Sequence, residues 1–264
     1  MSNPPVAGHP IGVFDSGVGG LTVVRALRRR WPDADIIYLG DTARVPYGTK
    51  SAQVVERYAL SCARFLVDRG ATQLVIACNT ASAFALPRLE QEFDLPVMGM
   101  ILPGARAALA ATQNRRVGII ATDGTIASES YQTALRALAA DLEIVTQPCP
   151  LFVPLAEEGF VEHRAAQLIA EEYLRDVLRH GVDTLVLGCT HYPMLAPLIA
   201  TVAGPGVTLI DSGEAAAIAL ERGAGTGRWE FFATDVSTRV QRVGSAFLGE
   251  PLPLVQHVDL EIIP

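Results

Sequence analysis

Two cysteine loops carry the clearest chemical signal in this chain. Residues 185–193 read LVLGCTHYP, an apolar run ending on Cys189 with Thr190 and His191 directly after it. Residues 74–80 read LVIACNT, a similar run ending on Cys78 and followed by Asn79 and Thr80. A thiol, with an ordinary pKa of about 8.5, can take or give a proton near ambient pH. Two thiols on opposite sides of one carbon can remove a proton from one face while delivering another to the other. That inverts a stereocentre without a cofactor. One thiol must start as thiolate and the other as thiol, so each needs a polar neighbour. Asp15 is the candidate partner of Cys78, and His191 of Cys189, with Glu157 in PLAEEG placed to support the histidine. The plainer alternatives are a cysteine acting as a small buried hydrophobe, a structural histidine and a surface glutamate.

The elements around the two cysteines repeat. A glycine precedes each by eight positions, Gly70 and Gly181, and a helix-like segment precedes each glycine. The unit is helix, glycine stop, buried strand, cysteine. Short apolar runs bounded by turn signals suit strands covered on both faces, as in parallel sheets. The cysteine then falls between strand end and helix start, where open α/β sheets bind ligands. At such a helix start, free N–H groups and the helix dipole are expected to lower the thiol pKa. Pro193 suits the first position of a helix after Cys189.

The repeat extends further. VGIIATDGTIASESYQTALRAL from residue 117 mirrors IGVFDSGVGGLTVVRAL from residue 11, with Thr122 in the register of Ser16 and Ala121 in that of Asp15. The pair Val153-Pro154 echoes Val45-Pro46, and VTLIDSGEAAA echoes PVMGMILPGARAA. An internal duplication follows. The expected fold is α/β: two similar domains with parallel-rich sheets, related by a pseudo-twofold, with the active site in the cleft between them. Residues 1–102 plus 212–264 are expected to form the first domain and 103–211 the second, the chain returning to the first half through SGEAAAIALERG, WEFFATD and STRVQRVGSAFLG.

The turn DSGVGG places Asp15 and Ser16 at a strand end, with backbone donors from Gly17 to Gly20 that can hold a small anion, or that accompany a helix cap by Asp15 or Ser16. It is not a dinucleotide fingerprint, because Thr22 stands where a glycine is needed. In TARVPYGTKS, Pro46 and Gly48 mark a fixed loop from which Tyr47 leans over a pocket or packs on the surface.

Composition narrows the function classes. Half of the 264 residues are hydrophobic and 19% are charged, which suits a globular protein with ample core. The net charge of −7 argues against general nucleic-acid binding, and the basic run Arg28 to Arg30 suits a helix end. No secretory signal or membrane span is visible, the apolar stretch from Val97 being broken by Pro103 and Arg106, so a cytoplasmic protein is expected. Free thiols are the default for the four cysteines, with Cys62 in a helical core and Cys149 at a loop or strand end. Cys189 and His191 lack further ligands at zinc spacing, so no metal is expected. Lys50 is the only lysine, which leaves a single candidate for a Schiff base and disfavours pyridoxal chemistry.

DSGVGGLTV at 15–23, DTARVPYG at 41–48, ACNTASA at 77–83, GCTHYP at 188–193 and IDSGEA at 210–215 together resemble the motif set of glutamate racemases, in family order. The resemblance runs from about Ile11 to Phe247 and departs at Met194, where leucine is commoner. It implies a cofactor-independent enzyme that supplies D-glutamate for peptidoglycan. It also implies that Cys189 deprotonates the L-enantiomer and Cys78 the D-enantiomer, with Asp15, His191 and Glu157 assisting. Asp15, Ser16, Pro46, Tyr47, Gly48, Asn79, Thr80, Thr122, Thr125, Thr190 and His191 would bind substrate. A homodimer is expected by the same analogy. Three rivals stay open: a racemase of aspartate or a related amino acid, a hydrolase using Cys189 and His191, and an amino-acid-binding protein.

Overall fold

The structure, a computed structural model, describes residues 9–221 and 225–261. The first half runs β1 (Ile11–Asp15), α1 (Leu21–Arg30), β2 (Ile36–Gly40), α2 (Ala52–Asp68), β3 (Gln73–Ile76), α3 (Asn79–Glu92), β4 (Val97–Gly99), α4 (Ile101–Ala111). The second runs β5 (Arg116–Ala121), α5 (Asp123–Ala127), α6 (Ser130–Leu138), β6 (Glu143–Pro148), α7 (Phe152–Glu157), α8 (Arg164–Arg179), β7 (Thr184–Gly188), α9 (Ala196–Ala203), β8 (Thr208–Asp211), α10 (Ser212–Ala219). After it come β9 (Trp229–Ala233), α11 (Thr238–Leu248) and β10 (Val255–His257).

The strands form two sheets, ordered β10-β9-β2-β1-β3-β4 and β6-β5-β7-β8, with every pairing parallel. The order β2-β1-β3-β4 in one sheet is the order β6-β5-β7-β8 in the other. The registers repeat too: Phe14 lies opposite Ile76, and Ile120 opposite Leu187. Both halves even share the same close packing. A Cβ on Gly12 would meet Leu66, Ala71 and Leu74, and one on Gly118 would meet Val177, Val182 and Leu185. Each residue of the second trio stands 111 positions after its counterpart, the separation of the two cysteines. The duplication read from the sequence is therefore present in the tertiary structure.

Local chemistry explains the elements. Every residue of β1 and β7 is buried, which requires helices on both faces of each sheet. Helix α8 buries Ala166, Ala170, Leu174 and Val177, a stripe at helical spacing. The glycine stops are real stops: Gly70 and Gly181 take φ of +91° and +68°, the left-handed conformation glycine adopts freely. Arg28 to Arg30 occupy the last turn of α1. Strand β9 pairs with β2 in the first sheet, and β10 joins it in parallel beside β9. Among the described residues no helix is long and apolar enough to cross a membrane.

Candidate active site

The carboxyl ends of β1, β3, β5 and β7 deliver the site. Their shared registers bring Ser16 beside Cys78 in one lobe and Thr122 beside Cys189 in the other. A narrow cleft with about 30 Å³ of free volume lies between the lobes. Ser16, Pro46, Tyr47, Gly48, Cys78, Asn79, Thr80, Thr122, Cys189, Thr190 and His191 all border it. Cys78 and Cys189 face it from opposite lobes. Asp15, Thr125 and Glu157, expected at the site, stand behind this wall instead. Asp15 is fully buried, Thr125 hydrogen-bonds Thr80 and Thr122, and Glu157 backs His191. Direct substrate contact by Asp15 or Thr125 is thus not what the geometry offers.

Cys78 caps the start of α3, its Sγ accepting from the Ala81 N–H at 3.4 Å. The lowered thiol pKa expected there does not follow. Burial first, and the Asp15 carboxylate second, push Cys78 up to about 12, outweighing the Ala81 N–H and the Ser16 hydroxyl. Cys78 is therefore held as a thiol. Cys189 is not at the start of an α-helix: a 3-10 turn over Tyr192–Leu195 follows it, with Pro193 inside that turn, and α9 begins only at Ala196. Its neighbour is His191, whose Nδ1 lies 3.9 Å from Sγ.

His191 Nε2 donates to Glu157 Oε1 at 3.0 Å. Burial opposes a charged imidazole. Yet the bonds to Cys189 and Glu157, with the fields of Cys189 and Asp15, raise His191 to about 10. The His191 bond, against burial and with help from Arg239, lowers Glu157 to about 2. This pair makes a signed prediction. Glu157's contribution to stability is complete above its ordinary 4.5 and fades as pH falls toward 2; that of His191 is complete below 6.5 and fades as pH rises toward 10. The melting-temperature gap between wild type and Glu157→Gln is expected to be widest between 4.5 and 6.5 and to narrow on either side. Thermal melts across that range check it; a gap that widens steadily with pH contradicts the linkage.

The glycine turn has a different use from an anion cradle. The Gly17 N–H donates to Asp15 Oδ2 at 2.9 Å, and the Gly20 N–H also supports that carboxylate. Neither Asp15 nor Ser16 caps α1, whose N-cap is Gly20. Gly20 admits Asp15, since a Cβ there would stand 2.5 Å from the Asp15 Cβ. Gly19 admits the other lobe: a Cβ would stand 2.4 Å from Thr190 Oγ1 and 2.5 Å from His191 Nδ1. Thr22 donates to the Thr190 carbonyl at 3.0 Å, and Thr190 Oγ1 donates to Asp15 at 3.4 Å. Both lobes thus meet directly behind the two sulfurs.

Further bonds cross the cleft. Thr80, Thr122 and Thr125 form a hydroxyl triangle with sides of 2.9, 3.0 and 3.0 Å. Asn79 accepts from Tyr131 at 2.7 Å and donates to Ser212 at 3.2 Å. Tyr47 borders the cleft and does not pack on the surface. It is 1% exposed, with its hydroxyl turned to Asp41, which also takes bonds from Thr234 and Arg44. Val45, Val153 and Gly188 also line the cleft; the repeated Val-Pro pairs are the sequence signal for the two valines, and GCTHYP begins at Gly188. Nothing in SYQTALRAL marked Tyr131.

Among the described lining residues there is no lysine or arginine, so hydroxyls, the Asn79 amide and backbone N–H groups are the donors for an anionic ligand. Among the described residues no group of three or more His, Cys, Asp or Glu is arranged to hold a metal ion. Cys62 and Cys149 are buried away from this cleft.

Paired α/β lobes with a cysteine loop in each are the architecture of one known class. A family model described as Asp/Glu/Hydantoin racemase matches residues 21–220, and the chain belongs to that family. Within it, the relatives are specific. The chain is 51% identical over 261 residues to the glutamate racemase of Geobacter metallireducens, covering 95% of this chain and 97% of that one. Glutamate racemase isoform RacE1 of Bacillus anthracis superposes with a TM-score of 0.90 at 36% identity, covering 94% of this chain and 97% of that one. Francisella tularensis glutamate racemase, solved in complex with D-glutamate, gives 0.88 at 37% identity, covering 96% and 98%.

Proposed function

We propose that the protein interconverts L- and D-glutamate by a two-thiol mechanism at Cα, with no organic cofactor or metal. The observation that carries this reading is the pair Cys78 and Cys189 bordering one cleft from opposite lobes. From L-glutamate, the Cys189 thiolate takes the Cα proton and becomes a thiol. The electron pair is held as a carbanion delocalised into the adjacent carboxylate. Cys78 then gives its proton to the opposite face and becomes a thiolate. The reverse reaction exchanges these roles. His191, charged and held by Glu157, steadies negative charge at Cys189, and Asp15 does its work from behind Cys78 and Thr190. Ser16, Asn79, Thr80, Thr122, Thr190 and the backbone of Pro46 to Gly48 hold the two carboxylates. Asp15 and Thr125 support these groups.

Glutamate as substrate is supported by the relatives and by the complex with D-glutamate. The wider reading includes a cytoplasmic homodimer supplying D-glutamate for peptidoglycan, with domains at 1–102 plus 212–264 and 103–211. The test is proton NMR of L- or D-glutamate in deuterated water with the purified protein and EDTA. The Cα–H signal is expected to vanish from both, with the opposite enantiomer appearing. Exchange of aspartate alone moves the substrate; no exchange with any amino acid sinks the reading.

A further inference from the structure

Helix α11 belongs to the first sheet's lobe, yet it reaches the second lobe's histidine in two ways. Phe247 packs edge-on against the His191 ring, with centroids 5.1 Å apart and planes at 74°. At the other end of the helix, Arg239 Nη2 lies 2.9 Å from Glu157 Oε2, and its Nη1 lies 2.6 Å from Glu158 Oε1. The other Glu157 oxygen takes the His191 Nε2 bond, and His191 Nδ1 faces Cys189 Sγ. The result is a continuous chain, Arg239 to Glu157 to His191 to Cys189, running from the rim to a reacting sulfur. Arg239 lies beyond the residues matched by the family model and does not line the cleft.

We infer that Arg239 is a positioning residue for proton transfer at Cys189. It fixes the second oxygen of Glu157, and so holds His191 at the sulfur. This inference rests on the racemase reading above. An exposed ion pair by itself contributes little, and the half-exposed Glu158 arm fits that description. The Glu157 arm differs. That carboxylate is only 19% exposed, and with both oxygens engaged it cannot turn about its last bond. The planar guanidinium is what spans two carboxylates at once. The charged and titratable groups facing this chain are Cys189, Asp15, Glu157, Glu158 and Arg239.

The test compares wild type with Arg239→Ala, Arg239→Lys, Glu157→Ala and the Arg239→Ala/Glu157→Ala double variant, by steady-state kinetics in both directions. Arg239→Ala is expected to lower kcat about tenfold with KM changed less than about twofold, because orientation rather than binding is lost. Its acid limb should move to higher pH as Glu157 loses a cation. Arg239→Lys should recover part of both. In the Glu157→Ala background, Arg239→Ala should change the rate less than about twofold. Glu158→Ala should leave kcat within about twofold of wild type. A wild-type rate and pH profile in Arg239→Ala, or effects that multiply independently, overturns the inference. Nitrogen-15 NMR reads it without turnover: the His191 Nε2 proton should be protected from exchange in wild type and lose that protection in Arg239→Ala. Equal protection overturns it also. Should wild type fail to exchange glutamate, the racemase reading fails separately and the NMR result still decides the clamp.

Discussion

Alanine at either Cys78 or Cys189 is expected to abolish racemisation, by at least about a thousandfold, because each removes the thiol that takes or gives the proton on one side of the substrate carbon. The two variants should fail differently. In Cys78→Ala, Cys189 can still remove the L-enantiomer's proton and return a deuteron to the same face. L-glutamate then loses its Cα–H signal without inversion. Cys189→Ala should show the mirror pattern with D-glutamate. Neither change disturbs the fold much: each removes one sulfur from a buried loop, for about 1–2 kcal/mol of stability, which thermal melts can verify. Racemisation by either alanine variant at near wild-type rate is incompatible with a two-thiol mechanism. A cysteine–histidine hydrolase predicts something else, that Cys78→Ala is fully active.

The second large effect comes from a residue with no functional group. Gly19→Ala is expected to lower kcat about a hundredfold while leaving the chain folded. The added methyl would occupy space held by Thr190 Oγ1 and the His191 ring. Neither can step aside freely. The Thr190 backbone is held by Thr22, and His191 by Glu157 and Phe247. Over-packing of this kind typically costs about 1–3 kcal/mol, which the lobes would relieve by moving apart behind the sulfurs. A displacement of about 1 Å at the reacting groups is enough for a hundredfold loss. Crystal structures of the variant should show His191 shifted from Cys189. Wild-type kcat in Gly19→Ala would mean that the close approach of the lobes is not needed for turnover.

Much of the fold was legible because its determinants are local. Four-residue apolar runs, glycine stops and helical stripes are read from neighbours in the chain, and their recurrence in the same order exposed the duplication. The cysteine loops could be read for the same reason: a strand ends, a thiol follows, and small polar residues come next. The C-terminal strand β10 was not legible. Its three residues, Val255 to His257, carry no alternation or punctuation, and only the open edge of β9 selects them. Tyr131 and Arg239 were invisible on similar grounds, each sitting in an ordinary amphipathic helix until a partner from the other lobe arrives.

By itself, then, the amino-acid sequence determined the repeated α/β units, the two thiols and the small polar groups beside them, since spacing along one strand and one turn suffices. Tertiary structure alone decided which proton each group holds. Cys78, at a helix start, was expected to ionise readily; burial and Asp15 reverse that. His191 was a candidate neighbour; Glu157 and Cys189 make it a cation. Three glycines looked like an anion cradle; Gly20 and Gly19 are the clearance for Asp15 and the opposite lobe, and Gly17 holds Asp15 by its N–H. Desolvation and the fields of distant charges act through space, and no local pattern encodes the distances on which they depend.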